Sequence, residues 1–156
     1  MRLAVAIAAL LALPAPSLAV ETLTGAQIRQ AFEGNTVSGR GIRGNPFSEY
    51  HDAGGQAYGN NGLVENDDGC WTVRADEICY YYGPPSARVV SCFTIELTGR
   101  LYALRSTANG KVDALAAVEP GNPRGHSDRG KPWVCDGLIS QAPERGAPLS
   151  RRLAAR

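Results

Sequence analysis

The sequence predicts a mainly β protein: an antiparallel meander that closes into a small barrel and carries one short N-terminal helix. Three observations lead there. After Gly34, short β-prone runs alternate with clusters of Gly, Asn, Asp and Pro, the pattern of strands joined by tight turns. Two of those runs carry cysteines at positions that face each other across one hairpin. The only stretch with helical spacing lies before Gly34.

The chain opens with Met1-Arg2, an apolar run from Leu3 to Leu13, the breakers Pro14 and Pro16, and a small-x-small site at Ser17-Leu18-Ala19. This three-part pattern is that of a signal peptide, residues 1–19, cleaved after Ala19. The apolar run is shorter than the about 20 residues a membrane span needs. No later segment has the length and apolarity of a span. The expected compartment is therefore the bacterial periplasm or the exterior. Arginine supplies nearly all the positive charge, as in a GC-rich genome, and this fits a bacterial source.

Residues 20–140 are expected to form one domain. The helix is expected over 25–33. Thr24 can accept from the Gln27 amide while the Gln27 side chain reaches back, a capping box, and Leu23 can staple onto Ile28. Ile28, Ala31 and Phe32 then share a face, and Gly34 supplies the left-handed stop. This helix reads as a plug or lid against something larger. The strand runs that follow are Thr36-Val37, Phe47–His51, Gln56–Tyr58, Cys70–Arg74, Glu77–Tyr82, Val89–Leu97, Arg100–Ser106 and Val112–Val118. A meander of that many strands must hide its edges, and closure is the usual solution. Alternation and helical spacing select the core: Ile28, Phe32, Trp71, Val73, Ile78, Tyr80, Phe93, Ile95, Leu97, Tyr102 and Leu104. Tyr80 and Tyr82 should point inward, and Tyr81 outward as an exposed contact residue.

The 4 cysteines allow three pairings. A hairpin turning at Pro84–Ala87 sets Cys79 opposite Cys92, which leaves Cys70 with Cys135. A zinc site is the rival reading, but the spacing lacks C-x-x-C and 2 isolated histidines do not complete it. No metal or cofactor is expected.

The chain has 16 Lys+Arg against 15 Asp+Glu, a net charge of +1, and without Arg2 the signs balance. A general nucleic-acid binder needs a basic excess. Residues 141–156 are locally basic through Arg145, Arg151, Arg152 and Arg156, and with Pro143 and Pro148 they read as a disordered tail.

Catalytic patterns are missing. No G-x-S-x-G elbow is present. Gly39-Arg40-Gly41-Ile42-Arg43-Gly44 matches a dinucleotide fingerprint in letters, but Asn45-Pro46 follows where a helix is required. Asp67-Asp68 sits in a turn that favours Asp for backbone reasons. His51-Asp52 reads as a solvated pair at a strand end. The densest polar stretch is the loop Gly121–Pro132, with Arg124, His126, Asp128, Arg129 and Lys131. It is either a recognition surface anchored by Trp133 and Cys135, or a structural connection wrapping the barrel. Asp128 stands close enough in sequence to hold His126 charged.

The combination Cys70-Trp71-Thr72-Val73, Ile78-Cys79-Tyr80-Tyr81-Tyr82 and Cys92-Phe93, with Leu23-Thr24-Gly25, Gly34–Gly39 and Gly121-Asn122-Pro123 through Trp133-Val134-Cys135, resembles a family of small exported proteobacterial proteins of unknown function. The resemblance covers most of residues 20–156 and implies no catalytic residues. More loosely, the design is similar to small periplasmic barrels that inhibit proteases or lysozyme, or that bind ligands as lipocalins do.

The leading functional expectation is a non-enzymatic, monomeric binding module that holds a protein or small ligand of the envelope through Arg124, His126, Asp128, Arg129 and Tyr81. The alternatives are an inhibitor of an envelope hydrolase, and an enzyme with a site around His51 or His126. Three structural outcomes separate them. An apolar cavity favours ligand binding, a filled barrel with a projecting loop favours inhibition, and a cleft joining the two histidines favours catalysis.

Overall fold

The computed structural model describes residues 20–62, 64–66, 68–83 and 89–135. The expected signal peptide, the expected disordered tail and the turn expected at Pro84–Ala87 lie outside the described residues.

The elements in order are β1 (Glu21–Thr22), α1 (Gly25–Phe32), β2 (Asn35–Gly41), β3 (Pro46–His51), β4 (Ala57–Asn60), β5 (Cys70–Arg74), β6 (Glu77–Tyr81), β7 (Ser91–Thr98), β8 (Leu101–Ser106) and β9 (Val112–Pro120). All strand pairs are antiparallel, in the order β4-β3-β2-β9-β8-β7-β6-β5, with β1 added to β7. From β2 to β4 and from β5 to β9 each strand pairs with the next in sequence, and β9 returns to pair with β2 from Asn35↔Pro120 to Gly41↔Ala114. Between β4 and β5 the contact shrinks to the Gln56↔Cys70 bridge, flanked by Ala57 N–H to the Gly69 carbonyl at 2.9 Å and Trp71 N–H to the Gly55 carbonyl at 2.8 Å. The sheet is thus nearly closed into a barrel, with a seam at β4/β5.

Helix α1 plugs one end. Its capping box forms as the Thr24/Gln27 spacing predicts. The Gly25 N–H donates to Asp76 Oδ1 at 2.8 Å, and a Cβ at Gly25 would collide with the Ala75 carbonyl. Glycine therefore lets the helix start directly on the β5–β6 turn. Ile28 and Phe32 are fully buried with Leu23. Gly34 adopts φ +72° and donates to the His51 carbonyl at 2.8 Å, which carries the chain from helix into β2.

All eleven residues expected in the core belong to the main cluster or pack against it. Alternation also predicts the register of β6 and β7: Ile78↔Phe93, Cys79↔Cys92 and Tyr80↔Ser91. Both disulfides form as expected, Cys79–Cys92 and Cys70–Cys135. They lie on the outer face with Tyr81, Val90 and Trp133. Tyr81 does stand on that face, but it is only 1% exposed. The expectation of an exposed contact residue is corrected here: the segment carrying Trp133 and Cys135 packs over it.

Residues 121–132 follow the outer face as a strap. Thr36 Oγ1 donates to the Gly121 carbonyl at 2.8 Å and the Gly121 N–H donates to Asn35 Oδ1 at 2.9 Å. Asn122 clasps the His126 backbone through both ends of its amide. Trp133 closes the strap, donating from Nε1 to the Gly69 carbonyl at 2.8 Å and packing on Tyr58.

Candidate functional site

The end of the barrel away from α1 is open. A cavity of about 780 Å³ enters there, between the β2–β3 turn, the segment joining β4 to β5, and the end of β6. Its walls are inward positions of the strands: Phe47, Tyr80, Phe93, Leu104 and Ala114. Phe93 and Phe47 are only partly buried because the cavity takes up one side of each. An irregularity between Leu104 and Arg105 leaves Asp113 without a register partner across β8/β9, and Asp113 joins the lining. Bulges of this kind re-aim a side chain next to a site.

Among the described residues Glu49 is the one buried acid. Alternation along β3 puts Phe47, Glu49 and His51 on the inward face. Glu49 is 7% exposed and lines the cavity. Asn66 Nδ2 donates to its Oε1 at 2.6 Å and Tyr82 Oη donates to the same oxygen at 2.7 Å. No described residue donates to Oε2. Burial pushes the Glu49 carboxyl above its ordinary value, against the pull of the Tyr82 and Asn66 bonds. Burial likewise raises the Tyr80 hydroxyl well above its ordinary value, and desolvation at its buried tip raises that of Tyr82, with Glu49 adding to both. The Tyr82 ring, expected to point inward, lines the cavity but is 39% exposed at its mouth. The Tyr80 and Tyr82 rings stack at 6.2 Å. A carboxyl held this way can accept a hydrogen bond or pair with a cation when ionised, and can donate when protonated.

His51 is not a solvated turn residue. It is fully buried, shares a 2.8 Å hydrogen bond between Nε2 and the Tyr80 hydroxyl, and meets Phe32 and Trp71 ring to ring. Burial lowers its pKa from 6.5 to about 3, so the imidazole is neutral. Its Nδ1 is buried without a hydrogen-bond partner.

His126 lies on the other side of β3. Its Nε2 is 2.8 Å from Ser48 Oγ, which in turn bonds Ser38 Oγ at 2.9 Å. Ser48 and His51 project to opposite faces, so no cleft joins the two histidines. Burial, then the Arg124 charge, lower the His126 pKa. The expectation that Asp128 holds it charged is corrected: Asp128 Oδ1 instead accepts from the Gly130 N–H at 2.9 Å. Arg124 pairs with Glu119 and Arg129 with Glu65, both at 2.7 Å on the surface. Arg124, His126, Asp128 and Arg129 are thus each engaged along the strap, and Tyr81 lies beneath its end.

Among the described residues, Glu77, Cys79 and Cys92 form the one group spaced for a metal. Its two sulfurs are bonded to each other, so it has no thiolate to offer. No described helix is long and apolar enough to cross a membrane.

Glu49, Tyr82 and Asn66 were not expected as site residues. The alternation of Phe47–His51 does contain the signal: a glutamate between two inward-facing rings. Comparison with protein families, with curated proteins and with solved structures gives no match to this chain.

Proposed function

We propose that the protein is a non-enzymatic binding module of the cell envelope that holds a small, largely apolar ligand in the open end of its barrel. The observation that carries this reading is the cavity of about 780 Å³, within the about 300–1,000 Å³ range of small-molecule sites. Its composition fits as well: apolar and aromatic walls with one buried carboxyl, the usual recipe of few polar groups in an apolar pocket. Ile42 and Val64 stand exposed at its rim, an apolar lip of the kind that marks a binding surface. The disulfides and the leader pattern favour an oxidising compartment such as the periplasm.

The inhibitor reading has less support. It needs a projecting loop, and residues 121–132 lie along the outer face of the barrel. Catalysis at His51 has less still, because that imidazole is sealed in the core.

Nile red, a neutral apolar fluorophore, tests the proposal. Saturable one-to-one binding by the folded protein is expected. Ala114→Trp should fill the cavity from its wall, weakening binding at least about tenfold while the protein still melts cooperatively. No binding by the wild type, or equal binding by both proteins, overturns the reading.

A further inference from the structure

We propose that the cavity selects an organic cation, a protonated amine on an apolar body, and that Glu49 Oε2 receives its N–H. This rests on the cavity being the binding site and names the class of ligand it takes.

The two oxygens of the Glu49 carboxylate are unequally bonded. Glu49 is nearly inaccessible, and both of its protein donors, Asn66 and Tyr82, converge on Oε1. A buried carboxylate is costly unless its charge is matched and its oxygens are bonded. Oε2 lacks a described donor, and Glu49 faces the cavity. The contents of the cavity, water or a ligand, therefore supply its donor. An ammonium supplies both the hydrogen bond and the opposite charge, and charge-assisted bonds are about twice as strong as neutral ones.

The surroundings point the same way. Phe47, Tyr80, Tyr82 and Phe93 bring four aromatic side chains to the lining, and aromatic faces attract cations, more so when these are desolvated. Among the described lining residues the ionisable side chains beside Tyr80 and Tyr82 are Glu49, Glu65, Asp113 and Arg43. Arg43 is the only cation of these, and it stands in the turn after β2. Glu65 already has Arg129. The balance inside is acidic, which disfavours a fatty acid and favours an amine. Raised by burial, the Glu49 carboxyl also becomes easier to ionise once an ammonium is beside it.

Calorimetry with decylamine, decanol and decanoate on the intact protein at neutral pH tests this. The three share one apolar chain and differ only in the head group. Decylamine should bind one-to-one and at least about 30-fold more tightly than decanol, with decanoate weakest. In Glu49→Gln the preference of amine over alcohol should shrink to within about threefold. The wild-type series stands without the variant, should Glu49→Gln fold poorly. Equal affinity for decylamine and decanol, or no one-to-one binding of decylamine, overturns the inference. If Nile red still binds in that case, the cavity reading survives and only the amine selectivity fails.

Discussion

His51 should make the protein acid-sensitive in a way that one substitution removes. Its pKa falls from 6.5 to about 3 on burial, whereas in the unfolded chain it takes a proton at its ordinary value. A folded-state value below the unfolded one means stability that is complete above about pH 6.5 and is lost as pH falls toward about 3. Each pH unit in that window is worth about 1.4 kcal/mol, so His51 withdraws about 2 kcal/mol by about pH 5 and about 4 kcal/mol by about pH 3. Glu49 has the opposite sign. Its carboxyl is raised, so its contribution is complete at low pH and is lost as pH rises. The wild-type profile mixes the two, and His126 adds to the His51 trend. His51→Phe isolates the imidazole, because Glu49 and His126 are present in both proteins. The variant leaves the Tyr80 hydroxyl without its partner and starts less stable. As pH drops from about 7.5 to about 5, its deficit relative to wild type should shrink by about 2 kcal/mol. Urea denaturation at intervals across that range reads this directly. Parallel curves would mean that His51 titrates normally, and that the sealed core described around it is wrong.

The strap and its bridges give two further expectations. Replacing Cys70 and Cys135 by Ala together opens a loop of sequence separation 65, and replacing Cys79 and Cys92 opens one of 13. The loop-entropy relation gives about 4 and about 3 kcal/mol respectively. Urea midpoints of the two double variants should fall in that order, and the reverse order would contradict the relation for this fold. Changing Arg124, His126 and Arg129 together to Ala should cost about 1 kcal/mol, mainly the His126–Ser48 bond, since exposed ion pairs contribute little. Nile red affinity should change less than about threefold. A larger loss of affinity with the melting temperature kept would return recognition to the strap.

The parts of the fold that were legible in the sequence are those set by neighbours along the chain. Glycine, asparagine and proline clusters mark the turns, so the eight strands of the ring fall where the runs predict. Cys79 and Cys92 have the same spacing from one turn, so the hairpin register follows. The Thr24/Gln27 pair announces the helix start. What depends on distant segments was not legible. β1 is only two residues long and exists because β7 offers an edge. Tyr81 is on the predicted face, but its exposure depends on a segment some fifty residues downstream. The cavity escaped for a related reason. Alternation tells which side chains face inward, but not whether they meet. Ala57, Ala114 and Ala116 are inward residues too small to be noticed, and Ala114 leaves room on the wall. Glu49 was hidden by its type, since a glutamate in a strand is usually read as facing solvent.

Because β9 pairs with β2 and Cys135 ties to β5 beside the seam, the ring needs both ends of the described chain. A growing or translocating chain presents β2 first and β9 among the last. Hairpins such as β2–β3 and β6–β7 can form as they emerge, but their shared interior stays wet until Pro120 finds Asn35. A truncation at residue 110 would therefore lose more than one strand: it would leave β2 and β8 as open edges for pairing with other chains. The order in which the polypeptide is delivered thus postpones the last step of assembly to its final third, and a factor that shields the early hairpins would act in that interval.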